Sequence, residues 1–356
     1  MSDEDEAAST MNLREPVESR TGPVLFMAAI LLVGLMASAV TAWSAKANVE
    51  QIAKREFEFA CAEIQDKISG RISAHMQSLL GAAAFFEHSD GVTRQEWQRF
   101  AAHQKIDQYL PGIQGLGLSL LIPRATLAQH IQDVQAEGFP DYRVRPEGDR
   151  ELYSAIVYLE PFEGRNLRAF GYDMLSEPVR RAAMERARDQ EEASLSGKVR
   201  LVQETDQDVQ AGTLMYVPVY RRGMPVDTVA GRRAAIRGWV YSPYRMTDLM
   251  RGVLGKADLF VARPIHLRVF DGESGDPAAL LYDSQPAAGR SPEAATRLSL
   301  QWRMVVAGRP WTLHCTTSDS PIADIVWLVL LGGTAISLSL VGSVFKLLNA
   351  RSKILY

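Results

Sequence analysis

Two apolar runs free of charge, Pro23–Trp43 and Ile325–Phe345, each 21 residues long, bracket nearly the whole chain. At about 1.5 Å of rise per residue, each crosses a hydrocarbon core of about 30 Å as one helix. The 278 residues from Ser44 to Pro321 therefore belong on one side of a membrane. Lys346, Arg351 and Lys353 follow the second run, and only Arg309 closely precedes it, which puts the C-terminus on the cytoplasmic side. The charges around the first run decide nothing. Two spans fix each other, so both termini read as cytoplasmic and the large middle as external. Ala37-Ser38-Ala39 resembles a signal cleavage site, but the long apolar core and acidic leader favour an uncleaved anchor. Residues 1–22 read as a disordered cytoplasmic leader.

The middle segment holds 35 acidic and 34 basic residues. Nucleic acid and anionic lipid select clustered Lys and Arg, so neither is an expected partner beyond the two spans themselves. Chemistry is equally sparse. Ser196-Gly197-Lys198 lacks the upstream Gly of a phosphate loop, and neither G-x-S-x-G nor H-E-x-x-H occurs. The six His are scattered and no Cys pair has zinc spacing, so no cofactor or metal is expected. His88, beside Glu87 and Ser89-Asp90, reads as part of a polar loop. Cys61 and Cys315 lie near the two ends of the middle segment. A disulfide between them is geometrically feasible in an oxidising compartment, although two separate buried thiols is the plainer reading. Only 11 residues follow Phe345, too few for a kinase or cyclase, so a catalytic output is expected beyond Tyr356 or on a partner.

From Ala45 to Phe86 apolar residues recur at helical spacing (Val49, Ile52, Ala60, Ile64, Ile68, Ile72, Met76, Leu79, Ala83), with Glu63 and Lys67 four apart on another face. This predicts a stalk helix over 44–84, with a narrow stripe that suits either its own domain or a second copy. Thr93 and Glu96 form a capping box, with Val92 and Trp97 at staple positions, for a helix from Arg94 to near Tyr109 that Leu110-Pro111-Gly112 stops. Strands follow at Ile113–Ile122 and Leu152–Tyr158, with a helix at Arg124–Ala136 between them. Ser176 is placed to cap a helix through Arg188, and Leu195–Gln203 and Thr213–Tyr220 read as paired strands. A mixed sheet with helices on one side accommodates these elements. The basic stretch 221–235, with Gly223, Pro225 and Gly231, reads as a boundary. Beyond it come a strand at Ile236–Tyr241, a helix at Tyr244–Gly255, and strands at His266–Phe270, Leu280–Tyr282, Arg297–Val306 and Trp311–Thr316, with turns at Asp271-Gly272 and Gly308-Arg309-Pro310.

The run Gly171-Tyr172-Asp173-Met174-Leu175-Ser176-Glu177-Pro178-Val179-Arg180-Arg181-Ala182-Ala183 resembles the signature of the CHASE family, extracytoplasmic sensors of cytokinin receptors and of bacterial histidine kinases and diguanylate cyclases. Val92-Thr93, Leu110-Pro111-Gly112-Ile113, Tyr158-Leu159-Glu160-Pro161, Pro218-Val219-Tyr220 and the run from Gly238 to Met246 agree in order, over roughly 75 to 255. The resemblance implies an α+β fold: a long stalk helix followed by two tandem PAS-like modules and flanked by the two spans. The implied division is a transmembrane helix at 23–43, the stalk at 44–84, a membrane-distal ligand-binding module at 85–225, a membrane-proximal module at 226–321, a second transmembrane helix at 322–346, and a cytoplasmic tail at 347–356.

By that resemblance Asp173 takes the place of a carboxylate that receives hydrogen bonds from a purine ring. Leu195 takes the place of a backbone contact to the base, and Thr205, more loosely aligned, that of a pocket hydroxyl. A carboxylate among Phe170, Tyr172, Met174 and Leu175 is poorly solvated and favours N–H donors. The alternative is that Asp173 caps the helix that begins near Ser176. Tyr153, Phe170, Tyr172, Met215 and Tyr216 are further candidate walls for a planar, adenine-like ligand. The expected whole is a sensory receptor in the cell inner membrane with a periplasmic domain, a homodimer through its stalk. The rival readings are an envelope scaffold that binds other proteins and, less supported, an external hydrolase.

Overall fold

The computed structural model describes residues 21–89, 91–110, 112–255, 265–285, 298–318 and 322–354. All but the last two residues of the expected leader lie outside these, as does Pro111 of the expected stop. The chain divides into two units. One contains helix α1 (Thr21–His88) up to Arg55 together with the last helix, α8 (Ile322–Ile354), and the other runs from Glu56 to Asp319.

In the first unit both helices are long and apolar enough to cross a membrane, and their apolar windows are almost wholly unburied, unlike a core helix. They approach through small residues: a methyl group added at Gly34 would strike Ser337, and one at Gly333 would strike Ser38.

In the second unit α1 buries one stripe, Phe57, Cys61, Ile64, Ile68, Ile72, His75, Leu79, Ala83 and Phe86, at steps of three and four. The expected Met76 is only partly buried, and its place on the stripe goes to His75. Glu63 and Lys67 pair at 3.0 Å. The capping box forms as the sequence spells it: the Glu96 amide donates to Thr93 Oγ1 and the Thr93 amide to Glu96 Oε2, which starts α2 (Arg94–Gln104). Lys105, with φ +46°, breaks the expected single helix, and a short α3 (Ile106–Tyr109) follows.

The first sheet comprises β1 (Leu116–Pro123), β2 (Leu152–Glu160), β3 (Ser194–Leu195), β4 (Gly212–Tyr220) and β5 (Ile236–Arg245), in the order β2-β1-β5-β4-β3. Every pairing is antiparallel, so the expected mixed sheet is corrected. Helices lie on both faces. Alternation along β4 sends Met215, Val217 and Val219 into the core shared with α1, and Leu214, Tyr216 and Tyr220 into a core with α5 (Pro178–Gln190). A third cluster packs α4 (Leu127–Ala136) on β2.

Two expectations change here. The paired strand at Leu195–Gln203 shrinks to two residues, because the chain turns away after Leu195 and runs irregularly to Gly212. The boundary at 225/226 falls inside the sheet: β5 pairs with both β1 and β4, and the Gly- and Pro-bearing stretch is merely their connection, carrying α6 (Val229–Ala235). The strand also runs on through Tyr244 and Arg245, so helix α7 starts only at Met246 and ends at Leu254.

The second sheet holds β6 (Ile265–Asp271), β7 (Leu280–Asp283), β8 (Leu298–Val306) and β9 (Arg309–Thr317), ordered β7-β6-β9-β8. This repeats the first sheet's arrangement without β3: the opening hairpin lies beside the closing strand. The β8–β9 turn is Ala307-Gly308, both at positive φ in a two-residue hairpin, so Arg309 and Pro310 belong to β9 and not to the turn. Cys61 and Cys315 are not separate. Both are buried free thiols of one core, close enough for each to act on the other's ionisation.

Candidate functional site

Asp173 sits where the chain leaves a loop and turns toward α5. Gly171, two residues earlier, has φ +78°, and a methyl group there would strike the Arg143 carbonyl, so the backbone passes too close for a side chain. The Asp173 amide donates to Arg145 O, and the Ile156 amide to Tyr172 O, which lashes the segment to β2.

The Asp173 carboxylate is fully buried. Its Oδ1 accepts from the Ser154 amide at 2.7 Å and the Leu175 amide at 3.1 Å, and its Oδ2 from Arg150 Nε at 3.0 Å. The bond to Leu175 caps a 3-10 turn, Met174–Ser176. The cap of α5 is not Ser176, whose hydroxyl donates back to Asp173 O, but Glu177, which accepts from the Val179 and Arg180 amides at 3.0 and 2.9 Å. A carboxylate reaches two adjacent amides where a hydroxyl turned backward reaches none. Pro178 takes the first helical position, where its missing amide costs nothing.

The other candidates fall into separate surroundings. Tyr153 joins Asp173 through Arg150: the guanidinium lies 4.9 Å from the Tyr153 ring, and the Tyr153 hydroxyl donates to Gly148 O and accepts from the Arg150 amide. Phe170 belongs to an aromatic group with Phe139, Tyr142 and Phe162, capped by the Arg94 guanidinium 4.3 Å from the Phe139 ring. It lines a cavity of about 400 Å³ with Tyr142, Arg143 and Arg145.

Tyr172 and Tyr216 lie on the α5 side. The Tyr216 hydroxyl donates to Met174 Sδ at 3.1 Å, and burial pushes its phenol up so that it stays protonated. Arg180 donates to the Tyr172 hydroxyl and to Arg200 O. Leu195 packs in the α1 core. Its amide donates to Ala307 O in the β8–β9 turn at 2.9 Å, and its carbonyl accepts from Arg186 Nη2 at 2.8 Å. Thr205 stands on the connection before β4, its hydroxyl donating to Gln207 O.

Asp173 and Tyr153 are thus brought together, with Tyr216 reaching the same turn through Met174, while Leu195 and Thr205 stand apart and already bonded. The residues that organise the site were missed from the sequence. Arg150 reaches Asp173 across 23 positions with no periodic signal. Arg245, inside the quoted run from Gly238 to Met246, is almost wholly buried and pairs with Glu204 at 2.7 Å, Asp248 at 2.6 Å and Asp208 at 2.9 Å. Burial alone would lower its pKa, but the bonds from Glu204 and Asp208 and the field of Asp248 more than reverse this. It holds the Glu204–Gln210 connection in place. A larger cavity, about 630 Å³, opens between that connection and β7, lined by Lys198, Arg200, Gln210, Arg251 and Tyr282.

The family model described as CHASE domain matches residues 90–282, more than half of the chain, from just before α2 to the end of the β6–β7 hairpin. No curated protein matches the chain.

Proposed function

Because this chain belongs to the CHASE domain family, an extracytoplasmic sensor module, we propose that it is a transmembrane receptor whose outer domain binds a small molecule at Asp173 and relays that event across the membrane. The observation that carries this reading is the asymmetry of the Asp173 carboxylate. Oδ1 is held by two backbone amides, while Oδ2 is held by one side chain, Arg150, which is about a fifth exposed. A ligand that offers N–H donors can replace Arg150 without disturbing the fold. The Tyr153 ring beside Arg150 suits a planar, adenine-like molecule.

A connected set of contacts leads from there to the β8–β9 hairpin. Asp173 sets the turn before α5. Arg186 on α5 bonds Ser194 and Leu195, Leu195 bonds the β8–β9 turn, and β9 is the strand that precedes α8 in the chain. Ligand moves such a set only by its differential affinity for two arrangements. The repeated strand order supports reading the two sheets as tandem PAS-like modules.

The setting proposed is the inner membrane of a bacterial cell, the middle domain periplasmic, and the output a kinase, a cyclase or a two-component partner outside this sequence. The chain itself is proposed to have no catalysis of its own. A homodimer through the stalk is supported by exposed Ile52 and Phe59, seven positions apart on α1. The scaffold reading draws on one observation, the groove of about 540 Å³ along the stalk that includes exposed Val305 and Leu80.

The test is titration of the full chain in detergent with adenine and N6-substituted adenines, read as a shift in melting temperature. Wild type should shift and Asp173→Asn should not. An equal shift in both removes Asp173 from the mechanism, and no shift with any planar N–H donor favours the scaffold.

A further inference from the structure

Cys61 and Cys315 are the two cysteines of the chain and stand 254 positions apart. The fold brings them together: Cys61 lies on the buried stripe of α1, and Cys315 on β9, between Leu267 of β6 and Leu300 of β8. Both side chains are essentially inaccessible to solvent and belong to one apolar core. Both thiols are free, and they lie close enough for each to act on the other's ionisation. The two thiols of a 356-residue chain thus share one core where the stalk meets the second sheet.

We propose that Cys61 and Cys315 form a disulfide in the mature protein, a covalent tie between the helix that follows the first apolar span and the strand that precedes the second. The proposal rests on the extracytoplasmic placement of this unit, since disulfides persist in oxidising compartments. One of the two cysteines, as its thiolate, attacks a sulfur of an oxidised disulfide exchange protein of that compartment and forms a mixed disulfide. The other, losing its proton, then attacks the first cysteine's sulfur and expels the exchange protein as a dithiol. The pair gives up two protons and two electrons, and the exchange protein's disulfide accepts them. Because both sulfurs are buried once α1 has seated, exchange belongs to folding, and the finished bond is shielded from reductants. The tie fixes the two ends of the external unit to each other at one level, so a signal passes that level as a movement of both elements together and not as sliding between them.

The experiment uses the full chain made in its own membrane, denatured in excess maleimide and analysed by mass before and after reduction. The expected result is no alkylation without reductant, two maleimides after it, and one linked peptide pair carrying Cys61 and Cys315. Two maleimides without reduction, or a linkage between two chains, overturns the proposal. A second arm separates this from a wrong topology: Gln207→Cys in a chain with Cys61→Ala and Cys315→Ala is exposed on intact cells to a membrane-impermeant maleimide. Labelling together with free native thiols overturns the disulfide alone. No labelling together with free thiols overturns the external placement and the disulfide with it.

Discussion

Two buried carboxylate–guanidinium centres hold the first sheet's loops, and they are built in opposite ways. At Asp173 the anion is central, clasped by backbone amides, and the cation Arg150 is peripheral and partly wet. At Arg245 the cation is central and almost dry, with Glu204, Asp208 and Asp248 gathered around it and the Asp208 carbonyl as well. A peripheral partner can be exchanged for a ligand. A central one cannot, because its loss strands several charges at once. The first centre has a replaceable cation and the second a fixed one.

The largest effect should therefore come from Arg245→Ala, which leaves fully buried Glu204 uncompensated. It should cost about 3–5 kcal/mol in denaturant unfolding of the full chain in detergent. A loss under 1 kcal/mol would erase the distinction drawn above.

A buried polar residue with no partner calibrates both centres. His75, stacked on Tyr244 at 5.4 Å with neither ring nitrogen bonded, has its pKa lowered by burial and by Arg71 from the ordinary 6.5 to about 4. Between those values the unfolded chain binds the proton and the folded one does not, so stability falls as pH drops from about 6.5 to about 4. The loss should approach about 3 kcal/mol, and His75→Leu should flatten that slope.

Asp173→Ala strands the Ser154 and Leu175 amides and should cost about 1–3 kcal/mol, whereas Asp173→Asn keeps an acceptor for both and should recover most of it. If Asn is as destabilising as Ala, the negative charge and not the acceptor geometry holds the site. Arg150→Gln leaves the buried Asp173 carboxylate its two amide donors but no cation and should cost about 1–3 kcal/mol, less than Arg245→Ala, yet this variant should bind adenine-type ligands more tightly by calorimetric titration. Weaker binding would make Arg150 a ligand contact instead of a competitor.

Much of this fold was readable because its signals are local. The capping box at Thr93 and Glu96, the α1 stripe and the short apolar runs of β1, β2 and β4 each depend on residues a few positions apart. The module boundary was not, since Gly223, Pro225 and Gly231 look alike in a loop within a sheet and in a link between sheets, and only the pairing of β5 with β1, Gly238 opposite Leu120 118 positions earlier, separates the two. The site divided on the same line. Asp173 stood out through the resemblance of its run to the family signature, with apolar neighbours that agree, while Arg150 and Arg245 act through partners 23 and 41 positions away that no periodicity announces.

The Leu195 amide donates to Ala307 O, and three residues further on Lys198 donates to the Asp271 carboxylate and to Ala278 O. The edge of the first sheet is thus stitched to the second at several points, so a load arriving there is shared along a seam and does not pivot on one bond.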